Sequence, residues 1–218
     1  MEKYRSIVEE LQPSGVRLVA VSKTKPVEQL RSFYEAGQRL FGENRATEMA
    51  EKHGQLPQDI EWHMIGHLQR NKVKLIAPFV ALIHAVDSPR LLREIDKEAA
   101  RNDRTIDCLL QFHIAEETTK YGLDYEQAAA LLDSEEYRAM QNARIVGVMG
   151  MATFTDDHAQ VRREFRQLRQ FFDRLKAEFF SDRDSFREIS MGMSGDYRIA
   201  IEEGSTMVRI GSLLFGAR

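Results

Sequence analysis

The amino-acid sequence predicts an α/β protein and, within that class, a closed (β/α)8 barrel of the TIM-barrel type. Short apolar segments rich in Val, Ile, Leu and Met recur eight times, and each is followed by a segment with helical periodicity and charged faces. This alternation is typical of parallel strands joined by helices. Eight such pairs within 218 residues favour a closed barrel over an open sheet. Because no repeat, low-complexity tract or linker interrupts the pattern, we predict one domain over residues 1–218.

The strands are predicted from their apolar runs, and the helices from the signals at their ends. Pro26 at the first helical position and Gly37 after the last turn delimit the helix that follows the first strand. Ser88 as N-cap, with Pro89 behind it, begins another helix. The predicted strands comprise residues 17–21, 39–41, 60–65, 81–86, 106–114, 144–151, 186–191 and 207–210. The predicted helices comprise residues 2–11, 26–36, 43–53, 69–77, 88–102, 124–132, a short one from 134, 156–180 and 195–203.

The composition argues against several classes of protein. With 31 basic and 34 acidic side chains the formal net charge is -3, so we expect no nucleic-acid partner. The arginine-rich segment 161–176 is expected to be an amphipathic barrel helix rather than an RNA-binding surface. No apolar run approaches the roughly 18–20 residues that cross a bilayer, and the charged first ten residues do not resemble a signal peptide. We therefore expect no membrane association and a cytoplasmic location.

The cysteine and the paired histidines are not expected to form a functional site. Cys108 is the only cysteine of the chain, and it is expected to be a small buried hydrophobe. His63 and His67 are four residues apart, but no carboxylate or cysteine completes a ligand set at usable spacing. No metal site is therefore predicted.

The first strand leads to a lysine that could carry chemistry. In a barrel of this type the carboxyl ends of the strands carry the active groups. Alternation along the strand places Lys23 on the same side as Val19 and Val21. If these valines fill the barrel, Lys23 points into its mouth, where desolvation favours a neutral amine that can form a Schiff base with an aldehyde. A solvated loop lysine is the alternative, and Lys25, next to a proline, is a weaker candidate.

Small residues follow strands seven and eight, where such barrels commonly hold phosphate. Ser194 and Gly195 follow the seventh strand, and Gly211 and Ser212 follow the eighth. Small side chains let backbone N–H groups approach an anion, and Ser194 adds a hydroxyl. Either pair alone would more often be an ordinary turn, but both pairs in these two loops favour a phosphate site.

The eighth strand also contains a charged residue. Arg209 lies within the apolar segment 207–210, where an unpaired charge would be costly. A buried arginine there would either pair with an acid, in an ion pair that closes the barrel, or bind an electronegative atom of a ligand. Combined with Lys23 and the phosphate loops, the second reading predicts a phosphorylated aldehyde as cofactor. Pyridoxal 5'-phosphate (PLP) meets all three requirements.

Five motifs occur in one order along the chain. They are residues 19–26, Phe41-Gly42-Glu43-Asn44, residues 62–72, Met191-Gly192-Met193-Ser194, and residues 204–212 with their continuation at 215–218. Together they closely resemble the pyridoxal phosphate homeostasis proteins, which are single-domain relatives of the N-terminal barrel of alanine racemase. The resemblance covers essentially the whole chain.

The resemblance implies a role for each matching residue. It implies that Lys23 carries PLP as a Schiff base and that Arg209 faces the pyridine nitrogen. It implies phosphate contacts from Ser194, Gly211 and Ser212. In a separate motif it implies that Asn44 is a further polar contact to the cofactor.

The resemblance also implies a biological role. Members of the family bind PLP for storage, delivery or control, without a well-established turnover. We therefore expect a non-catalytic PLP carrier, with apo forms of PLP-dependent enzymes as candidate partners and a monomer as the expected state. His113 and residues 149–154 depart from the usual family pattern, and both are expected to border the cofactor. The polar loop 116–120 is a candidate lid or partner contact.

Two other functions stay open at this point. A racemase or related enzyme would use the same Schiff base, although an arginine opposite the ring nitrogen weakens the cofactor as an electron sink. Alanine racemases also take a tyrosine base from a C-terminal domain, and no residues follow Arg218 to supply one. The third reading is a barrel that binds another sugar phosphate or aldehyde through Lys23, as Schiff-base aldolases do.

Overall fold

Eight parallel strands close into one barrel in sequence order, with β8 hydrogen-bonded to β1. This confirms the predicted fold class. The computed structural model describes residues 1–116 and 121–216, so most of the polar loop 116–120 and the last two residues of the final motif lie outside the described residues. The strands are β1 Arg17–Val21, β2 Leu40–Glu43, β3 Glu61–Met64, β4 Leu82–Val86, β5 Ile106–Phe112, β6 Ala143–Gly150, β7 Glu188–Ser190 and β8 Met207–Ile210.

Helices separate the strands and cover the outside of the barrel. Within the described residues they are α1 Glu2–Leu11, α2 Val27–Glu35, α3 Ala46–His53, α4 Val73–Ile76, α5 Pro89–Arg101, α6 Tyr125–Asp133, α7 Glu135–Ala139, α8 His158–Phe179, α9 Tyr197–Glu202 and α10 Ser212–Phe215.

Apart from shifts of one or two residues, the helices differ from the prediction in three places. The helix predicted from residue 43 begins only at Ala46, because Glu43 is still the last residue of β2. The helix predicted over residues 69–77 is a 3-10 turn, Arg70–Lys72, followed by the single turn of α4. The last helix, α10, has four residues and is too short for a periodic signal.

The barrel interior confirms the side-chain alternation predicted for the first strand. Val19 is fully buried within an inner apolar cluster, whereas its neighbours Leu18 and Ala20 pack outward against the helices. Gly42 on β2 faces the same interior, where an added Cβ would lie 2.9 Å from Val19 Cγ1. The inner cluster comprises Val19, Leu82, Leu109, Val146, Met149 and Met207.

The long helix α8 is amphipathic, as predicted for the arginine-rich segment. Its inward stripe buries Phe165 and Leu168, and Arg162 and Arg166 on its outer face both pair with Glu203. The prediction for Cys108 is also confirmed. Cys108 is fully buried on β5, and burial raises the pKa of its thiol.

None of the helices in residues 1–116 and 121–216 is both long and apolar enough to cross a membrane. Over the same residues, no group of three His, Cys, Asp or Glu side chains is arranged to hold a metal ion.

Candidate cofactor site

A cavity of about 620 Å³ opens at the carboxyl ends of the strands. Residues from the turns after β1, β2, β7 and β8 meet there, and residues after β6 supply most of the remaining wall. The six residues predicted to bind a cofactor all line this cavity: Lys23, Asn44, Ser194, Arg209, Gly211 and Ser212.

The turn that carries Lys23 is held on both sides of the lysine. Lys52 Nζ, from α3, donates to the carbonyl oxygen of Ser22 at 2.8 Å. Glu48 Oε1, from the same helix, accepts the N–H of Thr24 at 2.6 Å. Thr24 has a φ of 65°, in the left-handed region that a β-branched residue rarely adopts. The two hydrogen bonds therefore fix the backbone on either side of Lys23.

A buried carboxylate completes this arrangement. Glu43 is fully buried and accepts hydrogen bonds from Ser22 Oγ at 2.6 Å and from Lys52 Nζ at 2.7 Å. Burial raises the pKa of the Glu43 carboxyl, and the hydrogen bond from Lys52 opposes this rise. Lys52 also pairs with Glu48 at 2.7 Å. We call Glu43, Glu48 and Lys52 the α3 clamp. Sequence reasoning missed it, although an acid that ends an apolar strand was a signal that could have indicated it.

The loops after β7 and β8 present backbone donors to the cavity. The N–H groups of Ser194, Gly195, Gly211 and Ser212 have no hydrogen-bond acceptor within residues 1–116 and 121–216. Asp196 Oδ1 accepts the N–H of Met193 at 2.5 Å and fixes the first of the two loops. Unsatisfied N–H groups in a cavity are favourable partners for an anion.

Arg209 is a buried cation that forms no ion pair with an acid in the described part of the chain. Its Nη1 donates to Ser190 O at 2.8 Å and to Ser190 Oγ at 2.6 Å, and its Nη2 donates to Gly150 O at 3.0 Å. Burial lowers the pKa of Arg209 to about 10, against the attraction of the Asp196 carboxylate. The guanidinium is still charged at neutral pH. The ion pair considered as an alternative is therefore not found among these residues, which favours an electronegative ligand atom.

Asn44 lies directly after β2, against the backbone of the neighbouring turn. An added Cβ on Gly66 would lie 2.6 Å from Asn44 O, so only glycine allows this approach. Asn44 Oδ1 is buried and has no hydrogen-bond partner among the described residues. A buried polar atom of this kind is costly unless a ligand satisfies it.

The wall after β6 is fixed by a second buried carboxylate. Glu164 of α8 accepts hydrogen bonds from Thr153 N at 2.6 Å, from Thr153 Oγ1 at 2.7 Å and from Glu116 N at 3.2 Å. Burial raises the pKa of Glu164, but the hydrogen bonds, led by Thr153, outweigh it and the net pKa is lowered. Sequence reasoning missed this residue too, although an acid beside the apolar stripe of α8 was a possible signal.

Of the two places that depart from the family pattern, the segment 149–154 borders the cavity as expected and His113 does not. Met151, Thr153 and Phe154 line the cavity, but Met149 belongs to the inner apolar cluster. His113 is not among the lining residues. It follows the end of β5, where its N–H donates to Leu123 O at 3.1 Å. The expectation that His113 borders the cavity is therefore wrong.

Comparison with known proteins identifies the family. Residues 1–218 match the family model described as alanine racemase, N-terminal domain. The pyridoxal phosphate homeostasis protein of Aquifex aeolicus is 40% identical over 203 residues, which cover 93% of this chain and 87% of that protein. The chain belongs to the pyridoxal phosphate homeostasis protein family.

Solved structures agree with this family and with its fold. PipY of Synechococcus elongatus, without PLP, is 36% identical and superposes with a TM-score of 0.91 over 99% of each chain. Its PLP-bound form gives a TM-score of 0.89. Alanine racemase of Bartonella henselae, with covalently bound pyridoxal phosphate, is 16% identical, with a TM-score of 0.72 over 99% of this chain and 57% of that one. The likeness to the racemase concerns the fold alone.

Proposed function

We propose that the chain binds PLP in the cavity at the carboxyl ends of the strands and takes part in PLP homeostasis as a store or carrier. The observation that carries the proposal is the meeting of three complementary features on one cavity. These are a lysine on a fixed turn, four N–H groups that have no acceptor among residues 1–116 and 121–216, and a buried guanidinium that forms no ion pair with an acid among the same residues. PLP has an aldehyde, a phosphate and a ring nitrogen to match them, and PipY, a member of the same family, has been solved with PLP bound.

Each group of the cavity has a defined part in holding the cofactor. The amine of Lys23 attacks the aldehyde carbon and forms a C=N bond, and the carbonyl oxygen leaves as water. The N–H groups of Ser194, Gly211 and Ser212, with the two serine hydroxyls, hold the phosphate. Asn44 supplies one further polar contact.

Arg209 explains why the bound cofactor would be chemically subdued. The guanidinium keeps its proton at neutral pH and therefore donates to the ring nitrogen instead of protonating it. When bound, PLP supplies an electron sink for carbanions, and an unprotonated ring nitrogen weakens that sink. This supports a carrier without catalytic turnover over an amino-acid racemase, the alternative that would use the same Schiff base.

The domain organisation, the location, the oligomeric state and the recipients of the cofactor are part of the same proposal. A single domain over residues 1–218 is supported by the extent of the family match. We propose that the carrier acts in the cytoplasm as a monomer and that apo forms of PLP-dependent enzymes receive the cofactor.

An absorption titration tests the proposal. PLP added to the wild-type protein is expected to produce the absorption band of a Schiff base, and Lys23→Ala should abolish that band. Lys97→Ala, on the outer face of α5, is the matched control and should keep it. A wild-type protein whose absorption after addition of PLP is only the sum of the spectra of protein and free PLP would contradict the proposal. Exchange of α-hydrogens of amino acids for solvent deuterium, faster than with free PLP, would favour the enzyme instead.

A further inference from the structure

A chain of hydrogen-bonded side chains crosses the interior of the barrel. Arg209 Nη1 donates to Ser190 Oγ at 2.6 Å, and Ser190 Oγ lies 2.9 Å from His84 Nδ1. His84 Nε2 in turn lies 3.0 Å from His63 Nδ1. The four residues come from β8, β7, β4 and β3, and none is more than 4% exposed.

The two ends of this interior chain lie in different cavities. Arg209 lines the cavity proposed for PLP. His63 lines a second cavity, of about 370 Å³, at the amino ends of the strands, beside Arg17 and Glu188. The polar residues between them share the interior with an apolar cluster that includes Leu109. Such a buried polar chain is costly unless every donor and acceptor in it is satisfied.

Both imidazoles are neutral at physiological pH. Burial lowers the pKa of His63 to about 3 and that of His84 well below the ordinary value of 6.5, with a further contribution from the neighbouring His63. Each ring therefore has one N–H donor and one nitrogen acceptor.

Only one direction of these hydrogen bonds gives every donor between Arg209 and His63 an acceptor. Ser190 Oγ accepts from Arg209, so its own hydrogen goes to His84 Nδ1, the other partner of this oxygen among the described residues. His84 must then carry its hydrogen on Nε2 and donate it to His63 Nδ1, which places the hydrogen of His63 on Nε2. The reverse tautomer of His84 would leave the Ser190 hydrogen buried without an acceptor.

We propose that Ser190, His84 and His63 are positioning residues that orient Arg209 for the ligand in the cofactor cavity, with both imidazoles fixed as Nε2–H tautomers. The proposal rests on the function proposed above. The chain and the carbonyls of Ser190 and Gly150 use three of the five N–H groups of the guanidinium. The remaining N–H groups are left for the ring nitrogen of PLP.

The tautomers can be measured without the cofactor. In apo protein labelled with 15N-histidine, two-bond 1H–15N correlations at neutral pH should show Nε2–H and an unprotonated Nδ1 for His84 and His63. The variants His84→Gln and His63→Gln assign the two signals. A His84 ring with a hydrogen on Nδ1, or on both nitrogens, would overturn the proposed direction of the chain.

The effect on the ligand is measured with matched serine variants. Ser190→Ala should weaken PLP binding about tenfold or more, because it removes a hydrogen bond to a charged group. It should also change the absorption band of the bound cofactor while borohydride still fixes the label on Lys23. Ser190→Thr keeps the hydroxyl and should restore most of the affinity.

The control is a second buried serine of the same barrel. Within the described part of the chain, Ser205 Oγ bonds only to backbone groups, including Met191 O at 2.8 Å, so Ser205→Ala should leave the band unchanged. A Ser190→Ala protein with the wild-type band and affinity would overturn the positioning role. A wild-type protein that binds no PLP would overturn the proposed function instead. The histidine tautomers of the apo protein would still confirm or contradict the proposed direction of the hydrogen bonds from Ser190 to His63.

Discussion

Lys52 holds the backbone next to Lys23 through the carbonyl oxygen of Ser22. Its ammonium group joins two carboxylates, Glu43 and Glu48, and the carbonyl oxygen of Ser22 at one buried point. Glu48 in turn holds the N–H of Thr24. The α3 clamp, a buried network of ion pairs, thus fixes the backbone on either side of Lys23.

The first prediction concerns this clamp. Lys52→Met should lower the free energy of unfolding by about 3 kcal/mol, because it leaves two buried or half-buried carboxylates without their cation. It should also slow formation of the Schiff base at Lys23, measured by stopped-flow absorption, with stability taken from urea denaturation. Lys97→Met is the matched control. The Lys97 side chain is 49% exposed in its ion pairs, and such pairs contribute at most about 1 kcal/mol. Equal losses in the two variants would contradict the clamp.

The contrast between Lys23 and Lys52 shows what sequence can reveal at the scale of residues. Lys23 could be predicted because its direction follows from alternation along its own strand. Lys52, Glu164 and Ser190 could not, because each of them is held by at least one group that is distant in sequence. These groups are Ser22 O for Lys52, Glu116 N for Glu164 and His84 Nδ1 for Ser190.

At the scale of elements, β6 and β7 approach each other closely at Gly147, which leaves less room for an added Cβ than any other glycine of the described residues. A Cβ added to Gly147 would lie 1.9 Å from the carbonyl oxygen of Glu188. The strand β7 has only three residues, Glu188–Ser190, and it positions both Ser190 and the loop that contains Ser194. Its distance from β6 therefore affects the site directly.

The second prediction tests this contact. Gly147→Ala should destabilise the protein by at least about 3 kcal/mol, or prevent folding, because the backbone of β7 must move to admit the methyl group. Gly54→Ala is the matched control, since its Cβ would meet nothing closer than 3.7 Å. Thermal unfolding of both variants measures the difference. A Gly147→Ala protein as stable as Gly54→Ala would contradict the packing described for β6 and β7.

The elements themselves were largely predictable, and their ends were not. All eight strands fall within or close to the predicted segments, because apolar runs between helical segments are a strong signal. The segment predicted as 186–191 shrinks to three residues of strand, and the helix predicted from residue 43 starts later. Both ends are set by hydrogen bonds to neighbouring strands, which a local pattern does not contain.

At the scale of the whole molecule, the barrel keeps two neutral histidines in its interior. The native pKa of His63 is about 3, and that of His84 is also far below 6.5. Below pH 6.5, His63 and His84 therefore bind protons in the unfolded chain but not in the native protein. Stability contributed by these residues is present above pH 6.5 and is lost as the pH falls from 6.5 toward 3.

The third prediction follows from this difference in proton binding. The free energy of unfolding should fall with decreasing pH by up to about 1.4 kcal/mol per unit for each of the two histidines. His84→Gln should reduce that slope between about pH 6 and pH 5, whatever its effect on absolute stability. Urea denaturation at several pH values measures the slope, with His158→Gln, at the exposed start of α8, as the matched control. A slope unchanged in His84→Gln would show that His84 is protonated in the native state.

The proposed binding of PLP in the cavity at the carboxyl ends of the strands depends on Lys23. Its most direct test is borohydride reduction of the protein after incubation with PLP, followed by peptide mapping and mass spectrometry. We expect one modified peptide, labelled at Lys23, with the mass added by reduced PLP. A label on Lys25 or spread over surface lysines, or an adduct whose mass belongs to a different aldehyde, would contradict it.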